Sequence, residues 1–202
     1  DSHNCSIQRD YEIKQPQKLI LDGYDITEPT CNGRHDAAVE INPTGGVEPY
    51  EFYWEGTNVL PHEQNQANIA AGVYNVTVTD ANDCEVKEEI VIKEPSPLKI
   101  SLNGNTEICE GSPVDWHFSM NINRQWTIEF TDGNNTYTLN TDESLYKYTV
   151  TPTESVVYTL LRAYDQAACQ AVIENNMVEV NVHSVPTLTL PQTEYNICAG
   201  EP

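Results

Sequence analysis

The chain has 202 residues, with 10 Lys and Arg against 31 Asp and Glu, and a net charge of −21. Such a balance repels phosphate backbones and anionic lipid surfaces, which argues against nucleic acid as a partner. No apolar run approaches the roughly 18 residues of a membrane span, so no membrane insertion is expected.

The predicted elements are strands throughout. Tyr11 to Ile13 closes a first fragment, Gln15-Pro16 breaks it, and Lys18 to Leu21 opens the next segment. Ala37-Ala-Val-Glu-Ile41 precedes a turn by composition, Asn42-Pro-Thr-Gly-Gly46, and Tyr50-Glu-Phe-Tyr-Trp54 follows, rich in aromatic strand formers. Gly72 to Thr79 alternates with period two: Tyr74, Val76 and Val78 share one face, and Val73, Asn75, Thr77 and Thr79 the other. Asp80 to Asp83 reads as a hairpin loop, Glu85 to Ile92 runs back, and Glu94-Pro-Ser-Pro97 is a stiff linker.

The second half repeats the order. Strands are expected at Val114–Phe118, Gln125–Phe130, Thr136–Leu139, Leu145–Val150, Val156–Tyr164 and Met177–Val182, with a turn at Asp132-Gly-Asn-Asn135. No long segment keeps a 3.6-residue apolar period. Short strands separated by frequent turns predict an all-β chain of tandem immunoglobulin-like β-sandwich modules. Trp54, Tyr74 and Tyr158 are assigned to core packing. The two tyrosines stand where a corner tyrosine would tie loop to strand.

Two small motifs alternate along the chain. Cys31-Asn-Gly33, Cys109-Glu-Gly111 and Cys198-Ala-Gly200 share a Cys-x-Gly pattern. Asp1-Ser-His-Asn-Cys5, Asp80-Ala-Asn-Asp-Cys84 and Asp165-Gln-Ala-Ala-Cys169 share an Asp-x-x-x-Cys pattern. Each recurs at intervals of about 80 to 90 residues, the size of one sandwich. The expected organisation is the tail of a preceding repeat at 1–17, one module at 18–96, a second at 97–186, and the first strand of a following repeat at 187–202.

Six cysteines with this period read as a disulfide framework in an oxidising compartment. The expected bridges are Cys31–Cys84 and Cys109–Cys169, one inside each module, with Cys5 and Cys198 paired beyond the chain. Closing the loop from Cys31 to Cys84 would be worth about 4 kcal/mol on the chain-entropy account. It would also limit how far a pulled module extends. The alternative, Cys5–Cys31 with Cys84–Cys109, would join neighbouring modules. No Cys-x-x-Cys or His at ligand spacing suggests zinc.

The segment from about Thr27 to Leu98 resembles the SprB-type repeat of Bacteroidota surface proteins. The residues that carry the resemblance are Pro29-Thr-Cys-Asn-Gly33, Ala38-Val-Glu-Ile41, Thr44-Gly-Gly-Val-Glu-Pro-Tyr50, Tyr53-Trp54, Ala71 to Asp80, Asn82-Asp-Cys84 and Ile92-Lys-Glu-Pro95. Ile13-Lys-Gln-Pro16 matches the last of these. The second module lacks the Gly-Gly-x-x-Pro-Tyr turn and is similar instead to immunoglobulin-like or PKD-like domains, through Cys109-Glu-Gly111, Trp126-Thr-Ile128, Asp132-Gly133, Thr149-Val-Thr-Pro152 and Tyr158-Thr-Leu160. The resemblance implies a large, repetitive, extracellular cell-surface adhesin. It would be exported by the type IX system, tied to gliding motility, and in contact with neighbouring repeats and a surface or polysaccharide ligand. It brings no catalytic residues and no cofactor.

Other chemistries are weaker. Counted as an EF-hand from Asp80, the loop lacks the Gly at position six and the bidentate Glu at position twelve. Asp22-Gly-Tyr-Asp25 is a comparable acidic turn. His35-Asp36 is the one adjacent His–Asp pair, and no nucleophile is recognisably matched to it. With 31 carboxylates, a glycosidase-like dyad has no discriminating value. Tyr50, Trp116 and Tyr137 are the aromatic residues to watch for glycan stacking. The chain is therefore expected to be non-catalytic. The alternative function is a carbohydrate-binding or spacer module of a secreted enzyme.

Overall fold

The computed structural model describes residues 7–104 and 107–186. Cys5, Cys198 and the strand expected within 187–202 lie outside them. The chain divides into two compact units, Asp1–Pro97 and Leu98–Pro202. Every regular element among the described residues is a strand.

Unit 1 holds β1 (Tyr24–Thr27), β2 (Ala37–Ile41), β3 (Glu51–Glu55), β4 (Gln66–Ile69), β5 (Gly72–Thr79) and β6 (Glu85–Ile92). They form two antiparallel three-stranded sheets, β1-β2-β4 and β3-β5-β6. Period-two alternation turns one row of each strand inward. Val39 and Ile41 of β2 meet Trp54 of β3, Tyr74, Val76 and Val78 of β5, and Ile90 and Ile92 of β6 in one buried cluster. Each fully buried large side chain contributes roughly 1.5–3 kcal/mol against its exposed state. Trp54 satisfies its indole N–H by donating to the Glu63 carbonyl at 2.9 Å. Tyr74 donates its hydroxyl to the Ala70 carbonyl at 2.9 Å, the corner contact expected of it.

Unit 2 holds β7 (Lys99–Gly104), β8 (Glu107–Cys109), β9 (Val114–Met120), β10 (Trp126–Thr131), β11 (Thr136–Thr141), β12 (Leu145–Val150), β13 (Val156–Asp165), β14 (Val172–Asn175) and β15 (Met177–His183). One sheet runs β11-β10-β13-β15-β8 and the other β12-β9-β7-β14. Two pairings are parallel, β14 with β7 and β15 with β8. The core centres on Trp116, fully buried, with its ring 4.6 Å from Tyr158, 5.2 Å from Phe130 and 5.4 Å from Phe118. Tyr158 is thus a core residue, held by ring packing.

The strands expected at Ala37–Ile41, Gly72–Thr79, Glu85–Ile92 and Leu145–Val150 have those bounds. Lys18 to Leu21 is reduced to one bridge, Ile20 with Thr44, and Tyr11 to Ile13 forms no strand.

The cysteines require a correction. Cys84 and Cys109 carry free thiols, while Cys31 and Cys169 are disulfide-bonded, so neither Cys31–Cys84 nor Cys109–Cys169 exists. The alternative Cys84–Cys109 is excluded equally. The reason is distance along the strands. The turn that holds Cys31 is tied to the chain just after β6, through Asn32 Nδ2 to the Pro95 carbonyl at 2.9 Å and the Gly33 N–H to Glu94 Oε1 at 2.5 Å. Cys84 precedes the first residue of β6. Eight residues of strand, about 26 Å, separate those ends, and a disulfide needs Cα atoms about 4.4–6.8 Å apart. Unit 2 is arranged alike. Cys109 pairs with His183 near the start of β13, where Val156 faces Val180, and Cys169 follows the far end of β13.

Candidate functional site

Each unit has two poles, and the two repeated motifs occupy them. The leading pole, where the chain enters, carries the Asp-x-x-x-Cys hairpin. In unit 1 the Gly46 N–H donates to the Gln17 carbonyl, Ala81 N–H to the Val47 carbonyl and Val47 N–H to Asp80 Oδ2, gathering the incoming chain around Asp80. In unit 2 the Val172 N–H donates to the Leu98 carbonyl, three residues beyond Cys169. The trailing pole, where the chain leaves, carries the Cys-x-Gly turn, fixed to Pro95 in unit 1 and to His183 in unit 2.

The hairpins are built identically. Asp80 N–H donates to the Cys84 carbonyl at 3.0 Å, and Asp165 N–H to the Cys169 carbonyl at 3.2 Å. Asp80 Oδ1 accepts the N–H groups of Asn82 and Cys84, and Asp165 Oδ1 those of Ala167 and Cys169. The fourth residue is left-handed in both, Asp83 at φ 61° and Ala168 at φ 60°. Both aspartates are buried. The Cys84 N–H, foremost among the donors, holds the Asp80 carboxyl below the usual carboxylate range. Asp165 also pairs with the Arg124 guanidinium. The Cys-x-Gly turns match as well. Gly33 and Gly111 both sit at φ 77°, and the following N–H returns to the Cys31 and Cys109 carbonyls at 3.1 and 3.0 Å. That is the glycine position of a type II turn.

These bonds account for the acidic motif at Asp80. The Asp80 oxygens accept three backbone N–H groups, those of Val47, Asn82 and Cys84, which make the loop a closed turn. Asp132 behaves likewise. Its Oδ1 accepts from Asn134 and Asn135 N–H and its Oδ2 from the Tyr137 hydroxyl at 2.7 Å, which pull its pKa far down, the Asn135 N–H most. Asp36 takes the Thr30 hydroxyl and N–H, closing the turn that holds Cys31, and it is not paired with His35. Among the described residues no group of three or more His, Cys, Asp or Glu is placed to hold a metal ion.

The aromatic candidates are structural. Trp116 is buried, Tyr137 stacks on Phe130 at 5.1 Å, and the Tyr50 hydroxyl donates to the Gly45 carbonyl. The residue that sequence reasoning passed over is Tyr53. It is 51% exposed on the outer face of β3-β5-β6, paired with Thr77, which in turn faces Lys87. Glu55, Asn75 and Glu89 border it in a shallow depression. Alternation on β3 was the available signal: with Trp54 inside, Tyr53 must point out.

No curated protein matches the chain. A solved structure of Escherichia coli alpha-2-macroglobulin activated by porcine elastase aligns with 83% of the chain and 24% of its own length, at 11% identity and a TM-score of 0.32, a likeness too loose to carry an argument. The SprB repeat family matches residues 23–59, which take in β1 to β3, the Cys31 turn and the Gly45-Gly46 turn. Residues 23–59 of unit 1 are thus similar to a SprB repeat.

Proposed function

We propose that the chain is a non-catalytic repeat segment of a large extracellular adhesin, serving as stalk or attachment unit on the cell surface. The observation that carries this reading is the SprB match over residues 23–59, because SprB repeats occur in cell-surface proteins. The consumption of Asp36, Asp80, Asp132 and Asp165 by turns is consistent with it. Export by the type IX system and a part in gliding motility belong to the same proposal. An antibody raised against residues 20–185 tests it. Blotting and surface labelling of the source cells should give a very large, protease-sensitive, surface-exposed band. A modest, freely secreted band would overturn it in favour of a module attached to a secreted enzyme.

If the segment itself touches a polysaccharide, the outer face around Tyr53 offers the exposed ring and flanking amide and hydroxyl groups that sugars use. Tyr53→Ala should then abolish retention of unit 1 on that polysaccharide without altering its unfolding midpoint. Undiminished retention would remove Tyr53 from the contact.

A further inference from the structure

The outer face of β3-β5-β6 is laid out in three rungs. Strand pairing sets Glu51, Thr79 and Glu85 in one row, Tyr53, Thr77 and Lys87 in the next, and Glu55, Asn75 and Glu89 in the third. Alternate residues of a strand stand about 6.8 Å apart, and neighbouring strands about 4.8 Å apart. Tyr53 therefore has a carboxylate on either side of it along β3, and two more lie across the sheet on β6. Its ring is 51% exposed, and the His62 ring braces it from 6.1 Å. Against these four carboxylates stands one cation, Lys87, and Glu85 holds it at 3.1 Å. Glu51, Glu55 and Glu89 are exposed and form no ion pair among the described residues. The middle strand supplies amide and hydroxyl groups, from Asn75, Thr77 and Thr79.

We propose that this face binds an amino-sugar polymer, a chain of linked sugars that carry protonated amines. This deepens the reading of the Tyr53 face as a polysaccharide contact and rests on it. Charge complementarity selects the occupant. An ammonium over the open Tyr53 ring gains cation–π attraction, and amines on neighbouring sugars reach the carboxylates of Glu51, Glu55 and Glu89. The net charge of −21 draws such a cationic chain toward the protein. Uronate and sulfated polymers meet repulsion from the same carboxylates. A neutral sugar stacks and hydrogen-bonds but leaves those carboxylates unused. A lysine-rich peptide brings ammonium groups without the ring hydroxyls that would bond to Asn75, Thr77 and Thr79.

The test uses the full chain and a short β-1,4-linked glucosamine oligomer, compared with its N-acetylated counterpart and with oligolysine of equal length. Acetylation keeps the sugar backbone and removes the charge. Titration calorimetry should show the glucosamine oligomer binding at least about tenfold more tightly than the N-acetylated one. Tyr53→Ala, which alters no charge, should weaken it by at least about fivefold. Glu55→Gln combined with Glu89→Gln should weaken it by about as much. The same charge change made by Glu143→Gln with Glu154→Gln, on exposed loops of unit 2, should leave it within about two-fold. Circular dichroism verifies that every variant is folded. Equal losses from the two double variants would show an effect of bulk charge and overturn the inference. Tighter binding of oligolysine, lost in the same variants as the sugar, would overturn it in favour of a basic peptide. If the N-acetylated oligomer binds equally well and still needs Tyr53, the polysaccharide reading stands and the amine requirement falls. If neither oligomer binds, both fall.

Discussion

Asp80 and Cys84 bond to each other twice, Asp80 N–H to the Cys84 carbonyl at 3.0 Å and Cys84 N–H to Asp80 Oδ1 at 2.9 Å, and Asp165 and Cys169 do the same in the other unit. The aspartate is the keystone of the hairpin, so its removal should unfasten the leading pole. Asp165→Ala strips two N–H groups of their acceptor and leaves Arg124 without its ion pair. Loss of hydrogen bonds to a buried charge of this kind costs about 3 kcal/mol. Denaturant titration followed by Trp116 and Trp126 fluorescence should register it, and a loss under about 1 kcal/mol would contradict the role. Asp80→Ala should destabilise unit 1 in the same direction.

Four aspartates, Asp36, Asp80, Asp115 and Asp132, have pKa values lowered by hydrogen bonds made in the folded state. Their contribution is complete above the unfolded value of about 3.9 and is lost as pH falls through the folded values. Stability should hold level from neutral pH down to about 5 and fall steeply below 4. Thermal melts from pH 7 to pH 2 check this. Asp132→Asn should flatten part of the acid limb for unit 2, because the amide no longer carries a charge for the Asn134, Asn135 and Tyr137 donors.

Ala168 holds a left-handed conformation, φ 60°, that costs an L-residue roughly 1–2 kcal/mol. Glycine removes that cost and returns roughly 0.4–1 kcal/mol through its freer unfolded chain. Ala168→Gly should therefore stabilise unit 2 by up to about 1 kcal/mol, a rise of a few degrees in Tm for a unit of this size. Calorimetry decides the matter, and a fall in Tm would show that the Ala168 methyl contributes packing.

The raised Cys84 thiol predicts sluggish alkylation at neutral pH, accelerating as pH rises. Asp83→Asn removes one of the two charges responsible and should increase the iodoacetamide rate at pH 7 several-fold. Added salt should produce part of the same gain. Timed mass spectrometry of the Cys84 peptide measures both, and a rate insensitive to Asp83 would assign the slowness to Asp80 and burial.

Strand alternation was legible wherever a strand keeps one phase, as in β5, where Tyr74, Val76 and Val78 are buried as their spacing requires. It failed where the phase changes. On β13 the buried residues are Tyr158 and Leu160, then Ala163 and Asp165, because the register opposite β10 shifts between Leu160 and Arg162 and leaves Leu161 exposed. β4 escaped notice because Gln66-Ala-Asn-Ile69 has only one β-branched residue and includes Asn68 at φ 57°. The two cysteine motifs were legible as repeats and as turns, but their pairing was not. Sequence spacing says that Cys31 and Cys84 belong to one module, yet only the direction of β6 reveals that they stand at its opposite ends.

The separation of the poles sets how unit 1 meets a pull along its own chain. The chain enters beside Asp80 and leaves from the far end of β6, so tension acts nearly parallel to the strands. The eight facing pairs of β5 and β6, from Gly72 with Ile92 to Thr79 with Glu85, are then loaded together in shear rather than peeled one after another. With Cys84 free, no covalent strap from Cys31 to Cys84 shares that load, and the interstrand ladder with the packed Trp54 and Tyr74 beneath it is the clutch that holds or slips.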